Sequence, residues 1–180
     1  MLEFPTKKYK TIYADPPWPE HGGGKIKRGA DRHYQLMSVK DIIALPVASL
    51  ADPEGAHLYL WATNNYLPAA LDCIKVWGFQ YVTTITWMKD RIGLGQYFRG
   101  ITEHCLFAVT PNRLPYKTMD GKRQQGITGF YAPKQEHSRK PDAMREMIER
   151  VSYAPRIELF AREAFPGWDL WGNEAPAPAA

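Results

Sequence analysis

The stretch Lys10-Thr-Ile-Tyr-Ala14, followed directly by Asp15-Pro16-Pro17-Trp18, decides the fold of this chain. Its first five residues are β-prone and predict a strand. Two successive prolines cannot continue a hydrogen-bonded ladder, so the strand is expected to end in a turn at Asp15. A carboxylate there would lie at the carboxyl end of a sheet strand, which is where α/β proteins bind their ligands.

Predicted strands and helices alternate along the rest of the chain. The strands are expected at 56–61, 81–87, 104–109, 127–131, 156–161 and 168–171, and the helices at 38–45, 66–77 and 141–150. A polar loop is expected over 110–126. This alternation predicts a single α/β domain over residues 1–174. The Ala/Pro-rich segment 175–180 is expected to be a disordered tail.

Composition excludes several classes of protein. The chain has 180 residues, of which 44% are hydrophobic and 23% charged, as in globular domains rather than disordered chains or coiled coils. Two cysteines cannot build a disulfide framework, and no apolar run predicts a membrane span. The first residues lack the apolar core of a signal peptide, so a cytoplasmic location is expected. The histidines show no metal-ligand spacing with the cysteines, so no metal site is expected.

Positive charge is concentrated in three stretches, although the formal net charge is only +4. Stretches 21–40, 112–123 and 134–140 hold 12 of the 23 lysines and arginines but only 3 of the 19 acidic residues. A basic cluster of this kind is typical of a surface that contacts phosphates. A set of solvated loops explains the same distribution, and charge alone does not separate the two interpretations.

The turn at Asp15 presents two hydrogen-bond acceptors, the carboxylate and the Pro16 carbonyl, on a backbone that the prolines restrict. The exocyclic amino group of a nucleobase carries two N–H donors on a ring that stacks on aromatic side chains. The two patterns match, with Trp18 as the aromatic plane. A purely structural turn, capped by Asp15 and with an exposed Trp18, is the alternative.

The Asp15-Pro16-Pro17-Trp18 motif resembles the catalytic motif of amino-group methyltransferases that use S-adenosylmethionine. More specifically, the chain is similar to short prokaryotic or phage members of the MT-A70 family of adenine N6-methyltransferases, over about residues 8–174. Further matching blocks are 58–63, 77–79, 85–89, 103–106, 137–142, 158–162 and 166–174. The resemblance implies a Rossmann-like methyltransferase domain with a permuted motif order, the catalytic motif first and the cofactor motif last.

The resemblance also implies a binding site for S-adenosylmethionine. Asp15 would contact the cofactor's amino group, and Lys140 would pair with its carboxylate. Asn173 and Glu174 would hold the ribose hydroxyls, as acidic residues do at nucleotide sites. The implied cofactor residues are Asp15, Lys140, Phe160, Arg162, Asn173 and Glu174. A solvated helix start at Lys140 and a polar turn at Asn173 and Glu174 are the structural alternatives.

The segment Glu163-Ala-Phe165 departs from the family pattern. Longer eukaryotic members carry a His-Asn pair shortly after the arginine that matches Arg162. Those members also have cofactor contacts upstream of the Asp-Pro-Pro-Trp motif, where this chain has only 14 residues. The adenine end of the cofactor must therefore be held differently here.

A pocket for the target base is implied next to the catalytic motif, which comprises Asp15, Pro16, Pro17 and Trp18. The pocket residues implied by the resemblance are Tyr34, Trp87, Lys89 and Glu103. The basic residues of the glycine-rich loop after the turn, expected to contact phosphates, are Lys25, Lys27 and Arg28. The alternatives are a core position for Trp87 and surface positions for Lys89 and Glu103.

The expected activity is transfer of a methyl group from S-adenosylmethionine to the N6 amino group of adenine in DNA, because a short chain shows no obvious RNA-binding extension. The same reaction on RNA is the first alternative. A catalytically silent fold that only binds nucleic acid or a partner subunit is a third, and the intact motif with Lys140 and Asn173 argues against it. Nucleic acid is the expected partner, no membrane is expected, and a homodimer remains open.

Overall fold

The computed structural model describes residues 3–19, 37–93, 95, 97–135 and 139–176. Its strands are β1 (Thr11–Ala14), β2 (His57–Ala62), β3 (Gln80–Met88), β4 (Thr102–Val109), β5 (Thr118–Met119), β6 (Lys122–Arg123), β7 (Gly129–Tyr131), β8 (Arg156–Leu159) and β9 (Trp168–Trp171). Its helices are α1 (Val39–Ile43), α2 (Leu67–Val76) and α3 (Asp142–Val151), with 3-10 turns at Val47–Leu50 and Asn64–Tyr66. Seven strands form one sheet in the order β7-β3-β4-β2-β1-β8-β9, and β5 pairs with β6 separately. The predicted α/β class is confirmed.

Six of the seven sheet strands run in one direction, and β4 runs against them. β1 lies in the interior of the sheet, where Ile12 stands opposite Leu58 of β2 and Ile157 of β8. The carboxyl ends of the six parallel strands therefore meet the start of β4 at one edge, called the carboxyl edge below. The residues that follow β1, β3, β8 and β9 all lie at this edge.

Side chains alternate between the two faces of the sheet, and each face packs against different helices. Ile12 and Ala14 of β1 belong to a core cluster that includes Ile42 of α1 and Ile74 of α2. Tyr13 points to the opposite face, in a second cluster that includes Met144, Met147 and Ile148 of α3. The sheet thus lies between two helical layers, as an amphipathic pattern in alternating elements requires.

The helices begin and end at residues with the expected chemistry. Ser38 accepts a hydrogen bond from the Asp41 backbone N–H at 3.1 Å and so caps α1. α2 ends before Gly78, whose φ of 78° is the left-handed conformation that favours glycine. Pro141 immediately precedes α3, at the N-cap. No helix in the described part of the chain is long and apolar enough to cross a membrane.

Two local predictions were wrong. The loop over 110–126 contains the β5–β6 hairpin, whose turn residues Asp120 and Gly121 both have positive φ, 50° and 71°. Asp-Gly is a strong signal for such a two-residue turn, and the polar composition obscured it. β8 ends at Leu159 rather than at Ala161, because Phe160 adopts a left-handed φ of 63° that leaves the ladder. Of the predicted tail, residues 177–180 lie outside the described residues.

Candidate active site

The turn that follows β1 is anchored by Trp18, which is buried with 5% of its surface exposed. The Trp18 indole N–H donates to the Trp61 carbonyl at 2.9 Å, and its ring stacks on Tyr66 with centroids 5.3 Å apart. Tyr66 in turn donates its hydroxyl to the Pro19 carbonyl at 2.8 Å. The expectation of an exposed Trp18, which the turn-only interpretation included, is therefore wrong. Trp18 holds the turn from inside the core.

Backbone hydrogen bonds restrict the turn further. The Trp18 N–H donates to the Pro16 carbonyl at 2.8 Å, and the Met37 N–H donates to the Pro17 carbonyl at 3.1 Å. The first bond closes a three-residue turn of the γ type. A carbonyl oxygen has two lone pairs, so the Pro16 oxygen keeps one acceptor position after this bond is made. Asp15 is thus followed by a backbone held in one conformation.

Five charged side chains meet at the carboxyl edge, and we call them the edge cluster: Asp15, Lys89, Glu103, Lys140 and Arg162. The Lys140 Nζ lies 2.7 Å from Asp15 Oδ2 and 3.0 Å from Glu103 Oε1. Glu103 Oε2 also binds Lys89 Nζ at 2.7 Å, and an Arg162 nitrogen lies 3.6 Å from Asp15. Lys140 therefore bridges the Asp15 carboxylate and Glu103.

Burial and charge set the protonation of this cluster. Burial raises the pKa of Asp15, and Lys140 only partly opposes this while Glu103 adds to it. Burial would also raise the pKa of Glu103, but Lys140 and Lys89 outweigh burial and lower it. Burial alone would lower the pKa of Lys140, yet the two carboxylates raise it. Within this group Asp15 is the carboxyl that most readily takes up a proton.

Two tryptophans lie beneath the lysines of the edge cluster. Lys140 Nζ is 5.5 Å from the Trp61 ring centroid, and Lys89 Nζ is 4.7 Å from that of Trp87. Trp87 donates its indole N–H to the Ala132 carbonyl at 2.7 Å and is only 2% exposed. Trp87 therefore occupies a core position, which was the alternative to a role in the base pocket. Lys89 and Glu103, in contrast, are not surface charges, because they form a partly buried pair.

The predicted cofactor residues follow β8 and β9 at the same edge. Phe160 and Arg162 come directly after β8, and the exposed Asn173 and Glu174 come after β9. The two strand ends are in close contact, because a Cβ added at Gly172 would meet the Phe160 backbone at 2.9 Å. This contact brings the ends of β8 and β9 together beside the end of β1.

Four predicted site residues cannot be placed, because Tyr34, Lys25, Lys27 and Arg28 lie outside the described residues. Their predicted contacts with the target base and with phosphates stay predictions. The structure thus brings together Asp15, Lys89, Glu103, Lys140 and Arg162 in direct contact, and it aligns Phe160, Asn173 and Glu174 with them at the carboxyl edge.

A second ion pair, which was not predicted from the sequence, joins the largely buried side chains of Arg145 in α3 and Glu158 in β8 at 2.5 Å. The Arg145 guanidinium lies 3.5 Å from the Phe165 ring centroid. Glu163, two residues before Phe165, binds Arg139 at 3.0 Å. The segment that departs from the family pattern therefore forms contacts with two arginines. The charged Glu158 inside a predicted strand is the signal that could have indicated the ion pair with Arg145.

Comparison with known proteins gives a consistent result over nearly the whole chain. The family model described as MT-A70 matches residues 9–174. Type II methyltransferase M.MunI of Mycoplasma sp. is 31% identical over 195 residues, covering 97% of this chain and 81% of the relative. The probable N(6)-adenosine-methyltransferase MT-A70-like of Oryza sativa subsp. japonica is 32% identical over 178 residues, covering 93% of this chain and 23% of the relative.

The human N(6)-adenosine-methyltransferase catalytic subunit METTL3 is 29% identical over 180 residues, covering 93% of this chain and 28% of the relative. This chain thus spans about a quarter of the length of the rice and human relatives. The match covers both the turn at Asp15 and the strand ends after β8 and β9. Because the family model extends over the sheet and the edge cluster alike, the chain belongs to the MT-A70 family.

Proposed function

We propose that this protein transfers a methyl group from S-adenosylmethionine to the N6 amino group of adenine in a nucleic acid, with DNA as the first substrate. The observation that carries the proposal is the Asp15 carboxylate, held at the carboxyl edge by Lys140 and followed by a backbone turn in one conformation. Membership of the MT-A70 family and the N(6)-adenosine names of several relatives support the same chemistry.

The side chains at the carboxyl edge fit the polar groups of S-adenosylmethionine, which has an ammonium, a carboxylate and a ribose diol. Asp15 is an acceptor for an ammonium group, and Lys140 and Arg162 are cations suited to a carboxylate. Asn173 and Glu174 are exposed acceptors at the end of the neighbouring strand, suited to ribose hydroxyls. The five residues would hold the cofactor.

S-adenosylmethionine, when bound, supplies a methyl group made electrophilic by a positively charged sulfur. The N6 nitrogen of adenine is a weak nucleophile because its lone pair is delocalised into the ring. The Asp15 carboxylate and the Pro16 carbonyl would each accept one N–H of that amino group, which increases electron density on the nitrogen and orients it. Asp15, whose pKa burial raises, is also suited to accept the proton that the amino group releases.

DNA is the first substrate because the relative that this chain covers along most of its length is a type II methyltransferase, a class that modifies DNA. RNA is the second candidate because the relatives named N(6)-adenosine-methyltransferases are 29–32% identical to this chain, about as similar as M.MunI is. In a duplex, the target adenine would have to leave the base stack to reach Asp15.

The test is incubation of the protein with labelled S-adenosylmethionine and separate pools of DNA and RNA, followed by mapping of the modified adenines. We expect N6-methyladenine in DNA, and none with Asp15→Asn as the matched control. Label in RNA alone would support the second candidate. Label in neither pool, with no heat on titration of S-adenosylmethionine, would contradict the proposal and support a silent scaffold.

A further inference from the structure

The connection between β3 and β4 begins and ends at the carboxyl edge, and its described residues, 89–93, 95 and 97–101, form a narrow stem. The Lys89 N–H donates to the Ile101 carbonyl at 2.8 Å, and the Gly93 N–H donates to the Gly100 carbonyl at 2.7 Å. The first bond continues the register of the last β3–β4 pair, Met88 opposite Thr102, whereas the second joins residues outside that register and leaves residues 90–92 as extra residues on the β3 side. The described residues of the connection therefore link the end of β3, which Lys89 directly follows, to the start of β4, which carries Glu103.

Glycines allow the stem to close tightly near its tip. A Cβ added at Gly95 would lie 2.0 Å from the Phe98 carbonyl oxygen, and one added at Gly93 would lie 2.9 Å from the Gly100 oxygen. Real Cβ atoms do not approach backbone so closely, so any larger residue at position 95 would force the chain apart. Gly95 thus packs against the backbone of Phe98, one of two successive aromatic residues near the tip.

Those two residues are Tyr97 and Phe98, with 94% and 92% of their surfaces exposed. Adjacent aromatic side chains with almost no contact to their own protein are unusual, because burying them is favourable. Arg91 and Arg99 are also exposed, and the Arg99 Nε donates to the Gly93 carbonyl at 2.9 Å. Exposed aromatic rings beside arginines are the combination that binds single-stranded nucleic acid.

The position of the tip suits contact with bases near the target. Tyr97 comes four residues before Ile101, whose carbonyl accepts a hydrogen bond from the N–H of Lys89 in the edge cluster, so the chain between Tyr97 and Ile101 spans at most about 14 Å. A nucleic-acid strand advances about 3.4 Å per nucleotide. The rings therefore lie within a few nucleotides of a base held at Asp15.

We propose that Tyr97 and Phe98 form a stacking site for bases of the substrate strand next to the target adenine, with Arg91 and Arg99 contacting the adjacent phosphates. The inference rests on the proposed function and adds a binding site to it. A second copy of the chain is the alternative occupant; the short chain distance from the rings to the edge cluster favours nucleic acid, and the test below separates the two.

The test compares the Tyr97→Ala/Phe98→Ala protein with the wild type for binding to a fluorescent adenine-containing oligonucleotide, single-stranded and duplex. Stacking on one base accounts for about fivefold to a hundredfold in affinity, so the double variant should bind at least tenfold more weakly. Its affinity for S-adenosylmethionine should be unchanged. Tyr97→Trp/Phe98→Trp should restore binding, whereas Tyr97→Leu/Phe98→Leu should not, because leucine is apolar but does not stack.

The matched control is Tyr81→Ala/Val82→Ala, which removes exposed apolar surface at the opposite end of β3 and should leave binding unchanged. Wild-type affinity in Tyr97→Ala/Phe98→Ala, or rescue by leucine, would overturn the inference. A change in sedimentation velocity without a change in oligonucleotide affinity would assign the rings to a contact between copies and would overturn it too. If one of these results is found and the wild type still methylates adenine, only the stacking-site inference is wrong. If the wild type neither binds nor methylates nucleic acid, the proposed function is wrong as well.

Discussion

Glu103 and Glu158 are two largely buried glutamates in the same sheet, and their pKa values shift in opposite directions. Their side chains are 10% and 14% exposed. Burial opposes ionisation of both, but two lysines outweigh it at Glu103 and lower its pKa. At Glu158 burial prevails over the one arginine partner, Arg145, and raises the pKa. The second cation beside Glu103, and the carboxylates of Asp15 and Glu163 that add to the raised pKa of Glu158, account for the opposite directions.

The surroundings of the two glutamates differ as much as their pKa values. The cations of Glu103 belong to the edge cluster, where Lys140 is shared with Asp15. Arg145, the partner of Glu158, is instead enclosed by aromatic rings, at 3.5 Å from Phe165 and 5.2 Å from Trp168. We infer that the edge cluster binds the reactants and takes part in methyl transfer, whereas the pair of Arg145 and Glu158 joins α3 to β8. The following changes test that division.

Asp15→Asn should produce the largest effect, a loss of about a hundredfold to a thousandfold in turnover. Asparagine keeps the shape but replaces one acceptor oxygen with a donor that would face the N–H groups of adenine. Thermal unfolding should stay near normal, because asparagine still accepts from Lys140. Asp72→Asn, an exposed change on α2, is the control and should alter neither quantity. Normal turnover in Asp15→Asn would reduce the motif to a structural turn.

Arg145→Ala should lower the free energy of unfolding by about 3 kcal/mol, because it leaves Glu158 buried without its cation. Since the pKa of Glu158 is already raised, the loss should be largest at neutral pH and should shrink as falling pH protonates Glu158. Urea denaturation at several pH values measures this. Arg150→Ala, exposed on the same helix, should change stability by about 0.5 kcal/mol or less. Loss of cofactor affinity at unchanged stability would contradict a purely structural pair.

Lys140→Ala should weaken binding of S-adenosylmethionine about tenfold to a hundredfold, because it removes one charge-assisted contact worth about 1.5–3 kcal/mol. Nucleic-acid affinity should change less. Calorimetry with the cofactor and anisotropy with an oligonucleotide measure the two affinities separately, and Lys134→Ala, an exposed cation in the same loop, is the control. If only nucleic-acid affinity fell, Lys140 would belong to a phosphate-binding surface instead.

Glu103→Gln should give the smallest effect, a shift in the pH dependence of turnover. Asp15 must be ionised to accept hydrogen bonds, so turnover should fall as pH falls through its raised pKa. Glu103 contributes to that raised value as a neighbouring negative charge, and it also competes for Lys140. Removing the charge should therefore lower the pKa of Asp15 and move the acid limb of the profile to lower pH. A limb that moved to higher pH would contradict this electrostatic account.

Much of the secondary structure could be predicted from the sequence, because it depends on residues close in the chain. The β-prone run before Pro16, the cap at Ser38 and the glycine after α2 all indicated element ends that the structure contains. The end of β8 could not be predicted, since nothing in the sequence indicates that Phe160 adopts a positive φ.

The candidate site was predicted in its residue types but not in its contacts. The resemblance to the MT-A70 family indicated Asp15, Lys89, Glu103 and Lys140 as site residues. It did not indicate that Lys140 would bind both carboxylates or that Arg145 of α3 would lie 3.5 Å from the Phe165 ring centroid.

The sequence by itself determined the α/β class, the strand that ends at Asp15 and the family to which the chain belongs, because propensities, prolines and a contiguous motif are local properties. Only the tertiary structure decided that Lys140 lies 2.7 Å from Asp15, 125 residues away in the chain. That contact depends on the order of the strands, with β4 inserted antiparallel between β2 and β3 so that Glu103 reaches the carboxyl edge. Burial there raises the pKa of Asp15 and lets neighbouring charges tune it, a property that no residue of the cluster has in the extended chain.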